Sequence, residues 1–264
     1  MGQLGSVFSE AFLKMGRPVV PVLRHQSIAK ACTALKSQEP EIILLAVGED
    51  DLAGALCGVP ASLRDRVVLI QNELRVSSWS VDNHAAPHSP SGAIVWFEKK
   101  PKKSIHLVLP SVLFGPPAPL ILGALKNLEI SARTVDTPDA IAHELVLKNL
   151  YILGLNLAGM RVGGNAGQLL SSHEEYFLPL FEELFHLEST LLQEESRKNS
   201  GSYFREVTLN KTRLLKDLRE AIHSDALHAC SGRSAPRRLK RTLSLGRTLG
   251  IQLPVLAQLK KDFS

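Results

Sequence analysis

A lysine in the middle of a long apolar stretch is the first residue of this sequence that could do chemistry. Lys148 lies within HELVLKNLYILGLN, with apolar residues on both sides. Its ammonium group must extend to water, pair with a carboxylate such as that of Glu144 four residues earlier, or carry a perturbed pKa. An ammonium held beside a reacting carbonyl can polarise that carbonyl and then donate a proton. The residues alone leave a structural lysine and a proton donor both open.

A pair of glycines at the start of the chain could bind phosphate. Gly2 and Gly5 stand where a G-x-G-x-x-G fingerprint has its second and third glycines, and helical periodicity follows over residues 4–15. In such a turn the second glycine lets the backbone approach a pyrophosphate, and the helix N-terminus attracts the anion. The first glycine of the fingerprint and the strand before it are missing. A glycine pair without function therefore stays an alternative.

Arg24 lies about 20 residues past these glycines, at the end of an apolar run over residues 19–23. Dinucleotide-binding folds place an acidic residue near this point when they hold the ribose 2′-hydroxyl of NAD, whereas a cation accommodates the 2′-phosphate of NADP. Arg24 therefore favours NADP over NAD, unless it is an ordinary surface arginine.

Short apolar runs alternate with helical periodicity through the first half of the sequence. The predicted strands cover residues 19–23, 42–47, 67–70, 93–97 and 105–109, with a helix over 27–37. Unbroken apolar runs are typical of strands that a sheet buries on both faces, and their alternation with helices predicts a doubly wound α/β domain. Pro21 interrupts the first run. Because proline cannot donate to a central strand ladder, we expect a bulge or a strand end there.

The sequence changes character at Asp136. A capping residue and a proline in the first turn are followed by a long apolar helix, and the remainder is typical of helices separated by Gly, Asn and Ser breaks. We therefore predict two domains, an α/β dinucleotide-binding domain over residues 1–136 and an all-helical domain over residues 137–264.

Composition and charge exclude several classes of protein. No stretch approaches the roughly 20 apolar residues of a membrane span. Cys32, Cys57 and Cys230 are far apart without ligand spacing, so we expect a cytoplasmic protein with no disulfide framework and no metal. Residues 226–261 contain eight basic residues and neither an acidic nor an aromatic one, whereas the whole chain has a net charge of +5. A solvated helix face or a contact with a small anion explains this segment better than nucleic acid does.

Several separate motifs resemble the ketopantoate reductases (2-dehydropantoate 2-reductases). GQLGSVFSEAFLKMGRPVVPVLR is similar to the family's dinucleotide turn, first helix and second strand, and VVLIQNEL to the strand and loop that carry an asparagine near the nicotinamide and the substrate. HELVLKNLYILGLN is similar to the first helix of the helical domain, and SDALHACSGRSAP with LGIQLPVL to the C-terminal substrate loop and closing helix. The resemblance implies a Rossmann-like α/β N-terminal domain, here lacking its first strand, and an all-helical C-terminal domain of the 6-phosphogluconate-dehydrogenase type.

The resemblance also implies an activity, that of an NADPH-dependent reductase of a small 2-oxo acid with its active site between the two domains. It implies that Lys148 is the catalytic lysine and that Asn72, Asn156 and Ser224 bind the substrate. Six residues would hold NADP(H): Gly2, Gln3, Leu4, Gly5, Arg24 and Asn72. A homodimer is compatible with it, and neither nucleic acid nor a membrane is expected as a partner.

Three positions depart from the family pattern. Ile152 stands where the family has the first of two asparagines, Pro236 where it has an acidic substrate ligand, and Gly48 where a lysine usually follows the third strand. These departures leave room for a 2-oxo acid other than ketopantoate, or for a Rossmann-like binding or regulatory protein without turnover.

The missing first strand has a predicted cost. In the order 3-2-1-4-5-6 the first strand is central, so strands two and four should lose ladder partners without it. Each unpaired buried polar group costs about 1–3 kcal/mol. We therefore expect the natural protein to carry roughly 6–10 further residues before Met1, the length of an ordinary strand.

Overall fold

The chain divides into two compact units. The structure, a computed structural model, describes residues 2–35, 39–70, 91–198, 204, 206–230, 232 and 234–263. The first unit ends at Ile141 and the second begins at Ala142. The first unit is built on a sheet and the second on helices, which confirms the predicted fold class of a Rossmann-like domain, lacking its first strand, followed by an all-helical one.

The first unit contains a five-stranded mixed sheet. Its strands, with those of a separate hairpin, are β1 (Ile43–Leu45), β2 (Val67–Ile70), β3 (Gly92–Ile94), β4 (Phe97–Lys99), β5 (Ile105–Leu107), β6 (Ser111–Phe114) and β7 (Ala132–Thr134). The sheet order is β1-β2-β3-β6-β7, and β4 pairs with β5 in the hairpin. The first three strands are parallel, whereas β6 runs antiparallel to β3 and parallel to β7.

Two helices of the first unit build its core with the sheet. The described helices are α1 (Gln3–Lys14), α2 (Ile28–Ala34), α3 (Glu49–Cys57) and α4 (Ala118–Lys126), with a 3-10 helix at Ala61–Arg66. The buried face of α1 consists of Val7, Phe8, Ala11 and Phe12. These side chains share one apolar cluster with α4 and with the central strands. The helical spacing of its apolar residues thus anchors α1 in this core.

The predicted strand over residues 19–23 is wrong. These residues have no regular secondary structure, and the side chain of Val20 is 54% exposed. Pro21 lacks an N–H donor within this short segment, and Pro18 lacks one immediately before it, so the segment could not form a continuous ladder. Pro21 therefore excludes the segment from the sheet, instead of creating a bulge within a strand.

The prediction that the sheet has unpaired strand edges in its middle is also wrong. In the usual order, strands one and two lie between the predicted third and fourth strands. In this structure the predicted third strand is β1 and the predicted fourth strand is β2. These two strands pair directly, with Ile43 opposite Val67 and Leu45 opposite Leu69. β1 and β2 are therefore neighbours in the sheet, and each provides the hydrogen-bonding partner for the other.

The remaining strand predictions are confirmed in part. The runs 42–47 and 67–70 contain β1 and β2. The run 93–97 is divided between β3 and β4, because the backbone amide of Trp96 donates to the Ser111 hydroxyl (3.0 Å) at the break. The run 105–109 contains β5, which belongs to the hairpin. The sequence analysis missed β6 and β7, and β7 exposes two of its three residues, so no apolar run marks it.

The second unit consists of helices. They are α5 (Pro138–Val162), α6 (Ala166–Ser172), α7 (Glu174–Lys198), α8 (Lys211–Ser224), α9 (Ala235–Thr248) and α10 (Pro254–Asp262). The two longest helices, α5 and α7, have 25 residues each. Helix α6 packs on α7 and α8, and α10 packs on α7 and α9. The prediction of a long helix from Pro138, followed only by helices, is confirmed for the residues that the structure describes.

One described helix, α5, is long and apolar enough to cross a membrane by length and composition. Of its most apolar 18-residue window, however, 72% is buried inside the protein. A helix that is apolar on all sides is equally typical of the core of a globular unit, where neighbouring helices cover it. Its apolar character is thus accounted for by packing within the chain.

Candidate active site on helix α5

Helix α5 is buried on almost every side, and the exceptions form one stripe. From Ile141 to Gly159, a stretch that the structure describes completely, every residue is buried except Lys148, Ile152 and Asn156. Residues four apart lie one above the other on a single helix face. The positions to which the resemblance assigns chemistry are therefore the ones that this part of α5 leaves accessible. We call these three residues the α5 stripe.

Lys148 is held beside the helix by an aromatic ring. Its ammonium nitrogen lies 5.3 Å from the centre of the Tyr151 ring. A cation over an aromatic face is attracted by the ring quadrupole. Glu144, one turn earlier on α5, is only 7% exposed, and its pairing with Lys148 stays a prediction.

Asn156 is oriented by contacts at both ends of its amide. Its Nδ2 donates to the carbonyl oxygen of Ile152 (2.8 Å), and its Oδ1 accepts from Nη1 of Arg238 on α9 (2.9 Å). A Cβ added at Gly232 would lie 2.9 Å from the same Oδ1, so the backbone at Gly232 approaches the amide closely. The structure thus brings a guanidinium to one end of the α5 stripe.

Sequence reasoning missed Arg238 as a site residue. It belongs to the basic segment 226–261, which the sequence analysis interprets as a solvated helix face or a contact with a small anion. Its distance of 82 positions from Asn156 hides the contact. One signal for Arg238 was available in the sequence. Pro236 occupies the position of the family's acidic ligand, and Arg238 lies two residues after it.

Ser224 is the last residue of α8 and begins a segment that returns toward α5. Its hydroxyl donates to the carbonyl oxygen of Ala221 (2.8 Å). Three backbone hydrogen bonds tie the following residues to the start of α6: Ala166 N to His228 O (2.8 Å), Gly167 N to Ala226 O (2.8 Å) and Cys230 N to Gly164 O (3.1 Å). The predicted substrate loop therefore has a fixed backbone over residues 226–230.

This segment meets α5 at Gly159 with no room for a side chain. A Cβ added at Gly159 would lie 2.0 Å from the carbonyl oxygen of Cys230. Cys230 is fully buried, and burial raises the pKa of its thiol to about 11. The thiol is therefore protonated and unreactive at neutral pH. Its role here is packing, and glycine at 159 is what permits the contact.

Pro236 lines a cavity of about 280 Å³ in the helical unit. Met160, one turn beyond Asn156 on α5, lines the same cavity, together with Lys240, Arg247 and Lys260. None of its described lining residues is acidic. The position of the family's acidic ligand thus faces apolar and cationic neighbours in this chain.

The N-terminus of α1 can accept an anion. Its N-cap, Gly2, is extended, no side chain caps it, and the first turn contains no acidic residue. The first helical hydrogen bond runs from Ser6 N to Gly2 O (2.9 Å), so the amides of Gln3, Leu4 and Gly5 precede it. These amides and the helix dipole favour a phosphate. Among the described residues, no atom lies within 4 Å of a Cβ added at Gly2.

Arg24 is paired with a carboxylate in the first unit. Its Nη2 lies 2.7 Å from Oδ2 of Asp51 on α3, and the Arg24 side chain is 85% exposed. An exposed ion pair contributes only about 0–1 kcal/mol, so a 2′-phosphate would compete with Asp51 for the guanidinium. Gly48, which replaces the family's lysine, is the N-cap of α3. The α1 N-terminus and Arg24 fit a phosphorylated dinucleotide.

Asn72, one of the predicted ligands, lies outside the described residues. Its role in binding cofactor and substrate stays a prediction. Within the part of the chain that the structure describes, no group of three or more His, Cys, Asp or Glu residues could hold a metal ion.

No protein-family model and no curated protein sequence matches the chain. Solved structures match it over nearly its whole length. A complex of D-mandelate dehydrogenase with NADH is 12% identical, with a TM-score of 0.63 over 98% of this chain and 94% of that one. A PanE/ApbA family ketopantoate reductase from Ralstonia eutropha is 14% identical, with a TM-score of 0.59 over 98% and 93%.

A 2-dehydropantoate 2-reductase from Methylococcus capsulatus is 12% identical, with a TM-score of 0.59 over 98% of this chain and 92% of that one. At such identities the likeness concerns the fold. It confirms, at that level, the resemblance that the motifs indicated. The chain has the fold that ketopantoate reductases share with D-mandelate dehydrogenase.

Proposed function

We propose that the chain is an NADPH-dependent oxidoreductase that reduces a small 2-oxo acid to the 2-hydroxy acid. The α5 stripe carries this proposal, because a helix otherwise buried leaves a lysine accessible where the resemblance assigns the catalytic group. The shared fold supports a nicotinamide cofactor, since one of the matching structures is a complex with NADH. It also supports an acid substrate, since another contains NADH and anilino(oxo)acetate.

In this proposal Lys148 acts on the oxygen of the 2-oxo group. The bound nicotinamide supplies a hydride to the carbonyl carbon. The Lys148 ammonium polarises the carbonyl and donates its proton to the oxygen as negative charge develops there, so that a hydroxyl group results. The Tyr151 ring keeps the ammonium beside α5, which reduces the freedom that the lysine side chain would lose on binding substrate.

The cofactor contacts are proposed for the first unit. The amides of Gln3, Leu4 and Gly5 would hold the pyrophosphate at the N-terminus of α1, and Arg24 would hold the 2′-phosphate of NADPH. Asp51 competes for Arg24, so the preference for NADPH over NADH depends on how readily the phosphate displaces that carboxylate.

A second candidate is a Rossmann-like binding or regulatory protein without turnover. Two observations favour it. The Asn156 amide already has partners at both ends within the protein. In addition, β1 pairs directly with β2, so the sheet is smaller than that of a complete dinucleotide domain. Such a protein would bind the dinucleotide but would not reduce a substrate.

Two measurements distinguish the candidates. NADPH is titrated into the full chain and its fluorescence is followed, and NADPH oxidation is then assayed with a panel of 2-oxo acids. Saturable binding with oxidation by at least one acid is the expected result. Saturable binding without oxidation by any acid would support the second candidate. Absence of NADPH binding would contradict both.

A further inference from the structure

We propose that the 2-oxo acid carries a second carboxylate at its far end and that Arg238 binds this group. The inference rests on the proposed function, because it places the reacting carbonyl at Lys148 and the distal carboxylate at the other end of the α5 stripe. Arg238 is then a specificity-determining residue that Asn156 positions.

The guanidinium of Arg238 has a defined place. Nη1 of Arg238 donates a hydrogen bond to Oδ1 of Asn156 (2.9 Å). The Asn156 amide is itself fixed, because its Nδ2 donates to the carbonyl oxygen of Ile152 (2.8 Å). Arg238 is partly buried, and partial desolvation strengthens an interaction between charges. A planar guanidinium with five N–H donors matches the two oxygens of a carboxylate. The contact with Asn156 therefore holds an anion-binding group beside the accessible face of α5.

The length of the α5 stripe matches a five-carbon dicarboxylate. Lys148 and Asn156 are eight residues apart, which is about 12 Å along the helix at 1.5 Å per residue. Hydrogen bonds at the two ends each occupy about 3 Å of that length, which leaves about 6 Å for the ligand. Two methylene groups between the 2-oxo carbon and the distal carboxylate cover about this span.

The residues between and around these ends also suit such a ligand. Ile152, between Lys148 and Asn156 on the stripe, offers an apolar surface for methylene groups. Pro236 occupies the position at which the family carries an acidic ligand, and residues 226–261 contain no acidic residue. A distal carboxylate thus meets a cation and no nearby acidic group from this segment.

The test compares two acids with the same carbon chain. 2-Oxoglutarate has the distal carboxylate, and 2-oxopentanoate lacks it. We expect wild-type kcat/KM to be about 10- to 100-fold higher for 2-oxoglutarate, the range of a charge-assisted hydrogen bond. In Arg238→Gln this preference disappears through a higher KM for 2-oxoglutarate, whereas kcat/KM for 2-oxopentanoate falls much less. Arg238→Lys restores part of the preference.

Arg237→Gln is the matched control, because Arg237 is the exposed neighbour on the same helix. It should keep the preference for the dicarboxylate. Equal kcat/KM for the two acids in the wild type would overturn the inference. So would an Arg238→Gln variant that loses activity equally with both, since that indicates a structural role.

The inference and the proposed function can fail separately. If no 2-oxo acid is reduced, binding of the same two acids to the NADPH complex is measured by calorimetry. Binding of 2-oxoglutarate that exceeds binding of 2-oxopentanoate and is lost in Arg238→Gln would support the inference while the reductase proposal fails. Equal binding of the two acids, or binding of neither, would overturn the inference as well.

Discussion

Both units carry ion pairs on their surfaces, and the helical unit also has pairs in which ionisable side chains are buried. In the sheet unit, Arg24 pairs with Asp51 on the surface. In the helical unit, Asn149 donates to Glu188 and both side chains are buried, while buried His143 lies 2.8 Å from a carboxylate oxygen of Asp217. Exposed pairs contribute about 0–1 kcal/mol, whereas breaking a buried pair costs several times more.

This difference indicates which amino-acid substitutions each unit can tolerate without unfolding. The sheet unit has strands of three or four residues and a proline-containing segment outside the sheet, and its predicted cofactor contact Arg24 is exposed. In the helical unit, the buried Tyr151 ring and the half-buried Arg238 contact the stripe, and a backbone segment packs tightly against α5. We therefore expect substitutions in the helical unit to affect catalysis and folding strongly, and substitutions at the cofactor contacts to change affinity moderately.

The largest effect is expected at Lys148. Lys148→Ala should lower turnover by about 10²–10⁴, the usual contribution of general acid–base catalysis, and should leave NADPH affinity nearly unchanged. Steady-state kinetics and NADPH fluorescence titration measure the two quantities. Lys148→Arg should remain slow, because a guanidinium keeps the charge but does not release a proton.

Lys216→Ala is the control for this substitution, since Lys216 is exposed on α8 and pairs with Glu220 one turn away. Its turnover should match that of the wild type. An unaltered rate in Lys148→Ala would refute the proton-donor role and leave the lysine as a packing residue.

The second prediction compares a glycine from each unit. Gly159→Ala should destabilise the protein by about 1–3 kcal/mol or more, because the added methyl group overlaps the carbonyl oxygen of Cys230. Gly54→Ala, on the exposed side of α3 where a Cβ meets no atom within 4 Å, should stabilise it by about 0.5–1 kcal/mol. Urea denaturation of both variants measures the free energies of unfolding. The same sign for both would contradict the packing contrast.

The same contrast explains which parts of the fold were predictable from the sequence. Helix α5 and strand β2 were predictable because their apolar patterns decide their structure locally. The segment 19–23 was not, since its apolar residues favour a strand while a ladder requires the N–H donor that Pro21 lacks. Strand pairing between β1 and β2 is a long-range outcome that no local pattern encodes.

The site was predictable where one helix carries it. A shared helix face for Lys148, Ile152 and Asn156 follows from their spacing of four residues, and the structure leaves those three accessible, while their roles stay predictions. Arg238 was not predictable as a partner of Asn156, because their contact depends on how α9 packs and not on any periodicity. The Arg24 contact with Asp51 likewise depends on the folded positions of a loop and a helix.

The third prediction concerns the cofactor end and should give an intermediate effect. Arg24→Ala should weaken NADPH binding by about 10-fold and NADH binding much less, because only NADPH presents a 2′-phosphate for charge-assisted hydrogen bonds. Asp51→Asn should tighten NADPH binding, since it removes the carboxylate that competes for Arg24. Fluorescence titrations with both cofactors provide the constants. Equal losses for NADPH and NADH in Arg24→Ala would make Arg24 an ordinary surface charge.

The smallest effect is expected from pH, at Glu183 in the helical unit. Its carboxylate accepts hydrogen bonds from the backbone amides of Val255 and Leu256 at the start of α10. Burial nevertheless raises the pKa of Glu183 above its ordinary value of 4.5, and the two hydrogen bonds offset only part of this. The folded state therefore binds a proton more tightly than the unfolded state. Stability from this group is present below pH 4.5 and is lost as the pH rises through the folded-state pKa.

Glu183→Gln removes this titration and tests whether a partly buried carboxylate in the helical unit affects stability as argued. The wild type should lose more thermal stability than Glu183→Gln when the pH is raised from 4.5 toward neutrality. Glu182→Gln is the matched control, because Glu182 is the adjacent exposed residue that pairs with Lys211 on the surface. It should retain the pH-dependent loss of the wild type. If Glu182→Gln flattens the profile and Glu183→Gln does not, the surface pair governs this pH response, and the distinction between buried and exposed charges fails at this position.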